Sequence, residues 1–139
     1  MAWAPAPAGG FATSGKPTDP RIAAVARRAA ELLPAAGVIT DRAELRTYEC
    51  DGLAHYRVTP ALVVVPEDAR QLAAIVRACA EHGVPYVARG SGTGLSGGAL
   101  PHADGVLVVT SRMRAITQVR IGGAPASQPE SGLEAGPRR

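Results

Sequence analysis

The sequence predicts an α/β fold with a short mixed sheet, and three features support this prediction. Short apolar runs at 61–65, 84–88 and 105–110 are rich in β-branched residues and are typical of buried strands. Residues 67–82, between the first two runs, carry apolar side chains at helical spacing and predict a βαβ crossover. Residues 89–99 contain five glycines, which predict a glycine-rich loop between the second and third strands.

Two further helices are predicted before the first strand. Asp19 can cap a helix that begins at Pro20 and keeps one apolar stripe until Pro34. Asp41, with Glu44 three residues later, resembles a capping box, so a brief helix is predicted there. The first helix is therefore expected at the surface, with its apolar stripe towards the core.

The 139 residues are enough for one compact domain, which we place at residues 19–116. Residues 1–18 are rich in alanine, proline and glycine and lack an apolar period, so they predict a disordered leader. Residues 117–139 contain glycine, proline and serine throughout and predict a disordered tail. The organisation expected is a leader, one domain and a tail.

Composition argues against several classes of function. The formal charge of +3 comes with only 4% aromatic residues and no basic cluster with interleaved aromatics, so nucleic acid is not an expected partner. No stretch has the length of a membrane span or the pattern of a signal peptide. Two cysteines, Cys50 and Cys79, and three scattered histidines predict neither a disulfide framework nor a metal site. A cytoplasmic protein is therefore expected, with Cys79 in the core.

The glycine-rich loop has the chemistry of an anion cradle. Glycines bring backbone N–H groups close to phosphate oxygens, and Ser91, Thr93 and Ser96 add hydroxyl donors. Residues 92–97 match G-x-G-x-x-G, but no helix follows, so a Rossmann site is not predicted. A P-loop is not predicted either, because no lysine follows the last glycine. From spacing alone, a plain connection without ligand remains the alternative.

Three stretches resemble the FAD-linked oxidases with the p-cresol methylhydroxylase type of flavin domain. They are Tyr-Glu-Cys-Asp-Gly-Leu at 48–53, the strand and turn at 60–69, and the glycine-rich sequence at 84–101. Residues 105–109 and 113–116 continue the likeness in the same order. Within that family the chain is most similar to the glycolate oxidase and D-lactate dehydrogenase type. The resemblance therefore identifies residues 19–116 as the N-terminal part of such a domain.

The resemblance implies that the loop binds the FAD diphosphate through backbone amides. Relatives that bind flavin covalently in this loop use a histidine where this chain has Thr93, so noncovalent FAD is implied. Asp51 is interpreted as a turn former, with a polar site role as the alternative. No catalytic residue and no metal ligand is assigned. The implied cofactor-binding residues are Arg89, Gly90, Ser91, Gly92, Thr93, Gly94, Gly97 and Gly98.

The family's reaction is hydride removal from the α-carbon of a small 2-hydroxy acid to flavin, and companion oxidase subunits are implied. Its catalytic residues lie in parts that this chain does not resemble, so the chain alone is expected to be inactive. The likeness ends at about Ile116, which suggests a frameshift, a wrongly assigned gene end or a fragment. Two alternatives remain: a noncatalytic module that binds a phosphate ligand or docks through a sheet edge, and a fold relic without ligand.

Overall fold

The computed structural model describes residues 19–53 and 55–116, in which three helices pack on a four-stranded sheet. The leader and tail predicted at 1–18 and 117–139 lie outside these residues. The elements are α1 (Pro20–Leu32), β1 (Val38–Ile39), α2 (Arg42–Leu45), β2 (Leu62–Val64), α3 (Ala69–Glu81), β3 (Tyr86–Arg89) and β4 (Val106–Val109). The predicted α/β fold with a short mixed sheet is confirmed.

The strands lie in the order β1, β2, β4, β3. β1 is antiparallel to β2, whereas β2, β4 and β3 run parallel to one another. Leu107 of β4 is the partner of Val63 in β2 and of Val87 in β3. The crossover through α3 therefore joins two parallel strands as predicted, but β4 lies between them.

The glycine-rich connection joins β3 to β4, which are parallel neighbours. Such a connection must carry the chain from the end of one strand back to the start of the next. Residues 90–105 do this without a helix. At the end of the return, the backbone N–H of Val106 donates to the Pro85 carbonyl oxygen at 2.9 Å. Gly105 is required there because a Cβ would lie 2.7 Å from that same oxygen.

Three aspartates cap the helices. Asp19 and Asp41 cap α1 and α2 as predicted, accepting backbone hydrogen bonds at 2.8 and 2.9 Å. Asp68 caps α3 in the same way, with a hydrogen bond of 2.8 Å. These bonds satisfy N–H groups that have no partner within the helix. Because Asp68 is the cap, α3 begins at Ala69, later than the predicted start at residue 67.

The two long helices cover one face of the sheet. Apolar side chains from α1, α3 and alternate strand positions are removed from water together, which is the main favourable contribution to folding. This cluster consists of Ile22, Val25, Ala29, Leu33, Leu62, Val64, Ile75, Cys79, Val84, Val106 and Val108. The helical stripes predicted from the sequence therefore face the sheet.

The opposite face is covered by α2 and by the turn that follows it. Leu45, Val63, Val65, Leu107 and Val109 are buried there, with Ile39, Tyr48 and Val87 packed against them. β1 was not predicted, because it has only two residues. It pairs with β2, and Val38 lies opposite Val64. Tyr48 contacts this cluster, so the chain that follows it starts from this face of the sheet.

Cys79 is a core residue, as predicted. Its side chain is fully buried in α3, and burial raises the pKa of the thiol to about 11, which keeps it neutral near pH 7. In the described part of the chain, no group of three or more His, Cys, Asp or Glu side chains could hold a metal ion. None of the helices in residues 19–53 and 55–116 is long and apolar enough to cross a membrane.

Candidate cofactor site

The candidate site lies where the glycine loop, defined here as residues 90–98, leaves β3. The Arg89 carbonyl oxygen accepts a hydrogen bond from the backbone N–H of Thr110 at 2.8 Å and one from its hydroxyl at 3.3 Å. The loop thus begins beside the carboxyl end of the neighbouring strand, β4. Open α/β sheets bind their ligands outside the carboxyl ends of their strands. The loop occupies the corresponding position in this fold.

The backbone of the loop is open at four of its five glycines. A Cβ placed on Gly90, Gly94, Gly97 or Gly98 would meet no heavy atom within 4 Å. Gly92 differs, because a Cβ there would overlap the Arg89 guanidinium. Gly92 and Gly97 both have φ of +74°, a conformation that side chains other than glycine rarely adopt. The loop therefore turns at these two glycines and has open space beside the other glycines and Gly97.

The loop also carries hydroxyl groups close to this open backbone. Ser91 Oγ and Thr93 Oγ1 lie 3.4 Å apart, and both residues are exposed. Hydroxyls and glycine amides are the kinds of donor that hold phosphate oxygens. The glycine loop therefore fits the diphosphate of a dinucleotide cofactor such as FAD.

A second segment, residues 48–53, packs against the middle of the glycine loop. A Cβ on Gly52 would lie 2.8 Å from the carbonyl oxygens of both Thr93 and Gly94. Real Cβ atoms do not come so close to backbone oxygens, so only glycine permits this contact. Gly52 was not among the predicted site residues. Its only signal was its place in the Tyr-Glu-Cys-Asp-Gly-Leu stretch of the family resemblance.

Arg89 joins the glycine loop to the 48–53 segment. Its Nη1 donates to the carbonyl oxygens of Tyr48 and Cys50, at 3.2 and 2.7 Å. The guanidinium also lies over the Tyr48 ring, with Cζ 5.9 Å from the centroid. The family resemblance implied that this side chain binds the FAD phosphate. In the structure its observed hydrogen bonds go to backbone carbonyls, and contact with a phosphate stays a prediction.

Asp51 is buried between these contacts and has a fractional exposure of 6%. Its Oδ1 accepts a hydrogen bond from the backbone N–H of Leu53 at 2.8 Å, so it forms the turn that we predicted. Its Oδ2 is also buried and has no hydrogen-bond partner among the described residues. The turn accounts for one carboxylate oxygen only.

A backbone hydrogen bond and an ion pair close the loop that contains the 48–53 segment. The backbone N–H of Val58 donates to the Glu49 carbonyl oxygen at 2.7 Å, and Arg57 Nη1 lies 2.6 Å from Glu49 Oε1. The hydrogen bond that Arg57 donates to Glu49 raises the pKa of Arg57 above its usual range. Because Arg57 is exposed, its ion pair contributes little stability by itself. The backbone bond is the more important constraint on this loop.

Comparisons with known proteins show what the part of the chain that contains the glycine loop is similar to. Residues 60–126 match the family model described as an FAD binding domain. This match and the fold together indicate part of an FAD-binding domain similar to that of the FAD-linked oxidoreductases. The match extends beyond the predicted boundary at about Ile116, into residues outside the described range.

Individual relatives agree with this family. The glycolate oxidase subunit GlcD of Escherichia coli strain K12 is 46% identical over 89 residues, which are 64% of this chain and 18% of that protein. A D-lactate dehydrogenase of Archaeoglobus fulgidus is 40% identical over 52 residues, or 37% of this chain and 12% of that protein. The chain therefore spans less than a fifth of the length of these relatives.

A solved structure shares the fold. The crystal structure of p-cresol methylhydroxylase with substrate bound superimposes with a TM-score of 0.58 and 17% sequence identity. The superposition covers 74% of this chain and 21% of that one. At this identity the likeness supports the fold, and it agrees with the type of flavin domain that the sequence resembles.

The close approach of Gly52 to the glycine loop can be tested by adding one methyl group. We expect Gly52→Ala to lower the free energy of unfolding by about 1–3 kcal/mol, because the Cβ must displace the Thr93 and Gly94 carbonyls. Gly90→Ala is the matched control, since its Cβ meets open space and its φ is not positive. Urea titration followed by circular dichroism measures both. Equal stabilities for the two variants would contradict the contact.

The role of Arg89 can be tested without any cofactor. We expect Arg89→Met to lower the free energy of unfolding of the free chain by about 1–3 kcal/mol, because two partly buried carbonyls lose their donor. Arg77→Ala, an exposed arginine on α3, should change it by no more than about 0.5 kcal/mol. A free chain whose stability is unaffected by Arg89→Met would show that the guanidinium does not join the two segments.

Proposed function

We propose that the glycine loop binds the diphosphate of FAD through its backbone amides. The observation that supports this most directly is the open space beside four glycines, within a segment that matches the model of an FAD binding domain. Ser91 and Thr93 add hydroxyl donors, and Gly92 and Gly97 provide the turns. The proposed cofactor-binding set is Arg89, Gly90, Ser91, Gly92, Thr93, Gly94, Gly97 and Gly98.

Within this set, the proposed roles differ with the environment of each residue. Gly90 and Gly94 present accessible amides, because no neighbouring heavy atom would block a ligand at their Cβ positions. Gly97 and Gly98 let the chain turn away from the ligand. The Arg89 guanidinium lies next to Gly92, so its positive charge favours an anion at the loop. Its N–H groups at the same time hold the 48–53 segment.

We further propose that FAD is bound noncovalently. The enzymes of this type that attach flavin in the corresponding loop use a histidine, and this chain has Thr93 at that place. The exposed threonine can donate a hydrogen bond to a phosphate oxygen. Denaturation should therefore release all of the flavin from the protein.

The reaction that we propose for the complete protein is oxidation of a small 2-hydroxy acid. Relatives include proteins named as a glycolate oxidase subunit and a D-lactate dehydrogenase, so glycolate and D-lactate are the first substrates to test. Bound flavin would accept a hydride in this chemistry. The described residues would hold and orient the diphosphate part of the cofactor, and we assign them no catalytic step. We therefore expect the 139-residue chain alone to be inactive. We also propose that companion subunits take part in the complete oxidase.

Flavin fluorescence during titration with FAD tests the proposed site. We expect the wild-type chain to bind FAD saturably and Gly94→Val to bind at least about tenfold more weakly, because the valine side chain fills the space next to the loop amides. The fold should survive this change, since a Cβ at Gly94 meets nothing within 4 Å and its φ is not positive.

Two further variants distinguish loss of the proposed FAD site from other effects of a substitution in this connection. Ala103→Val changes an exposed residue of the same connection outside the proposed site, and it should bind FAD like the wild type. Gly92→Val should lose both the loop conformation and FAD, because its side chain would overlap Arg89 at a positive φ. Equal FAD affinity in Gly94→Val and Ala103→Val would contradict the proposed cradle.

A further inference from the structure

The carboxylate of Asp51 presents an unsatisfied hydrogen-bond acceptor in the segment that contacts the glycine loop. The residue is 6% exposed, and its Oδ2 is buried without a partner among the described residues. A buried polar atom without a hydrogen bond costs free energy, and a charged one costs more. A protein can keep a buried acceptor of this kind at little cost in folding free energy only where a donor forms a hydrogen bond with it.

The position of Asp51 relates this acceptor to the glycine loop. On one side, the Cys50 carbonyl oxygen accepts the Arg89 hydrogen bond at 2.7 Å. On the other side, the Cβ position of Gly52 lies 2.8 Å from the carbonyl oxygens of Thr93 and Gly94. The residue therefore lies between the two contacts that attach the 48–53 segment to the proposed diphosphate cradle.

The turn formed by Asp51 does not explain the second oxygen. Oδ1 already accepts the Leu53 N–H at 2.8 Å, and an asparagine would form the same turn. The neighbouring Thr93 and Gly94 contacts are carbonyl oxygens, which accept and do not donate. Neither the Leu53 N–H, which is already used, nor these carbonyls therefore supply a donor to Oδ2.

The charge of the carboxylate restricts which part of a ligand can supply that donor. A carboxylate and a phosphate repel each other, so Oδ2 is not suited to the diphosphate itself. The parts of FAD on either side of the diphosphate are sugar chains with hydroxyl groups, which are neutral donors. We propose that Asp51 Oδ2 accepts a hydrogen bond from a sugar hydroxyl of FAD next to the diphosphate. This inference rests on the proposed function.

Asp51→Asn tests the proposal because it changes the acceptor and keeps the turn. The asparagine carbonyl can still accept the Leu53 N–H, and the variant no longer buries a charge. We expect the melting temperature of the chain without FAD to stay the same or rise, while the affinity for FAD falls about tenfold or more. Arg77→Ala serves as a control in both measurements, since Arg77 is exposed on α3.

Titrations with FMN and with ADP then identify the sugar. If the ribityl chain is the donor, Asp51→Asn should weaken FAD and FMN and leave ADP unchanged. If the adenosine ribose is the donor, it should weaken FAD and ADP and leave FMN unchanged. Either pattern supports the proposal and assigns the hydroxyl.

Three other results would contradict the proposed role of Asp51. Unchanged FAD affinity in Asp51→Asn would overturn the inference and leave the proposed function intact. A lower melting temperature without FAD would show a structural role for Oδ2 and would also overturn it. If the wild-type chain does not bind FAD at all, the proposed function fails, and this inference fails with it.

Discussion

The guanidinium of Arg89 hydrogen-bonds to the carbonyl oxygens of Tyr48 and Cys50, and the arrangement of the site depends on this contact. It joins segments that are about 40 residues apart in sequence. Bringing such segments together costs conformational entropy, and these hydrogen bonds help to offset that cost. The same side chain fills the space beside Gly92, so the turn of the glycine loop and the position of the 48–53 segment are fixed together. Gly52 then completes the contact by permitting the two backbones to approach closely.

The sheet determines where this assembly can form. β3 and β4 are parallel neighbours, so their connection starts at the carboxyl ends of the strands and must return along the sheet. Glycines at its start leave open space at the edge where open α/β sheets bind ligands. The apolar clusters on the two faces of the sheet provide the rigid support that a cofactor loop requires. Position in the fold and local composition thus favour the same function.

The strands and long helices were predictable because their signals are local. An apolar run between prolines and a capped amphipathic stripe each depend on residues within one element. β1 was missed, since two residues carry no periodicity and depend on the ladder with β2. The place of β4 between β2 and β3 was missed as well, because strand order depends on contacts distant in sequence. The glycine loop was predicted as a candidate site, but the direction of the Arg89 side chain and the close approach of Gly52 could not be read from spacing.

We propose that the glycine loop and the 48–53 segment form one binding site for FAD. Amide hydrogen exchange of the free chain and of the chain with saturating FAD tests this claim directly, because it reports on both segments at once. We predict that FAD slows exchange in residues 90–98 and also in 48–53, with little change in the exposed end of α3. Protection of neither segment, or of α3 alone, would contradict the account.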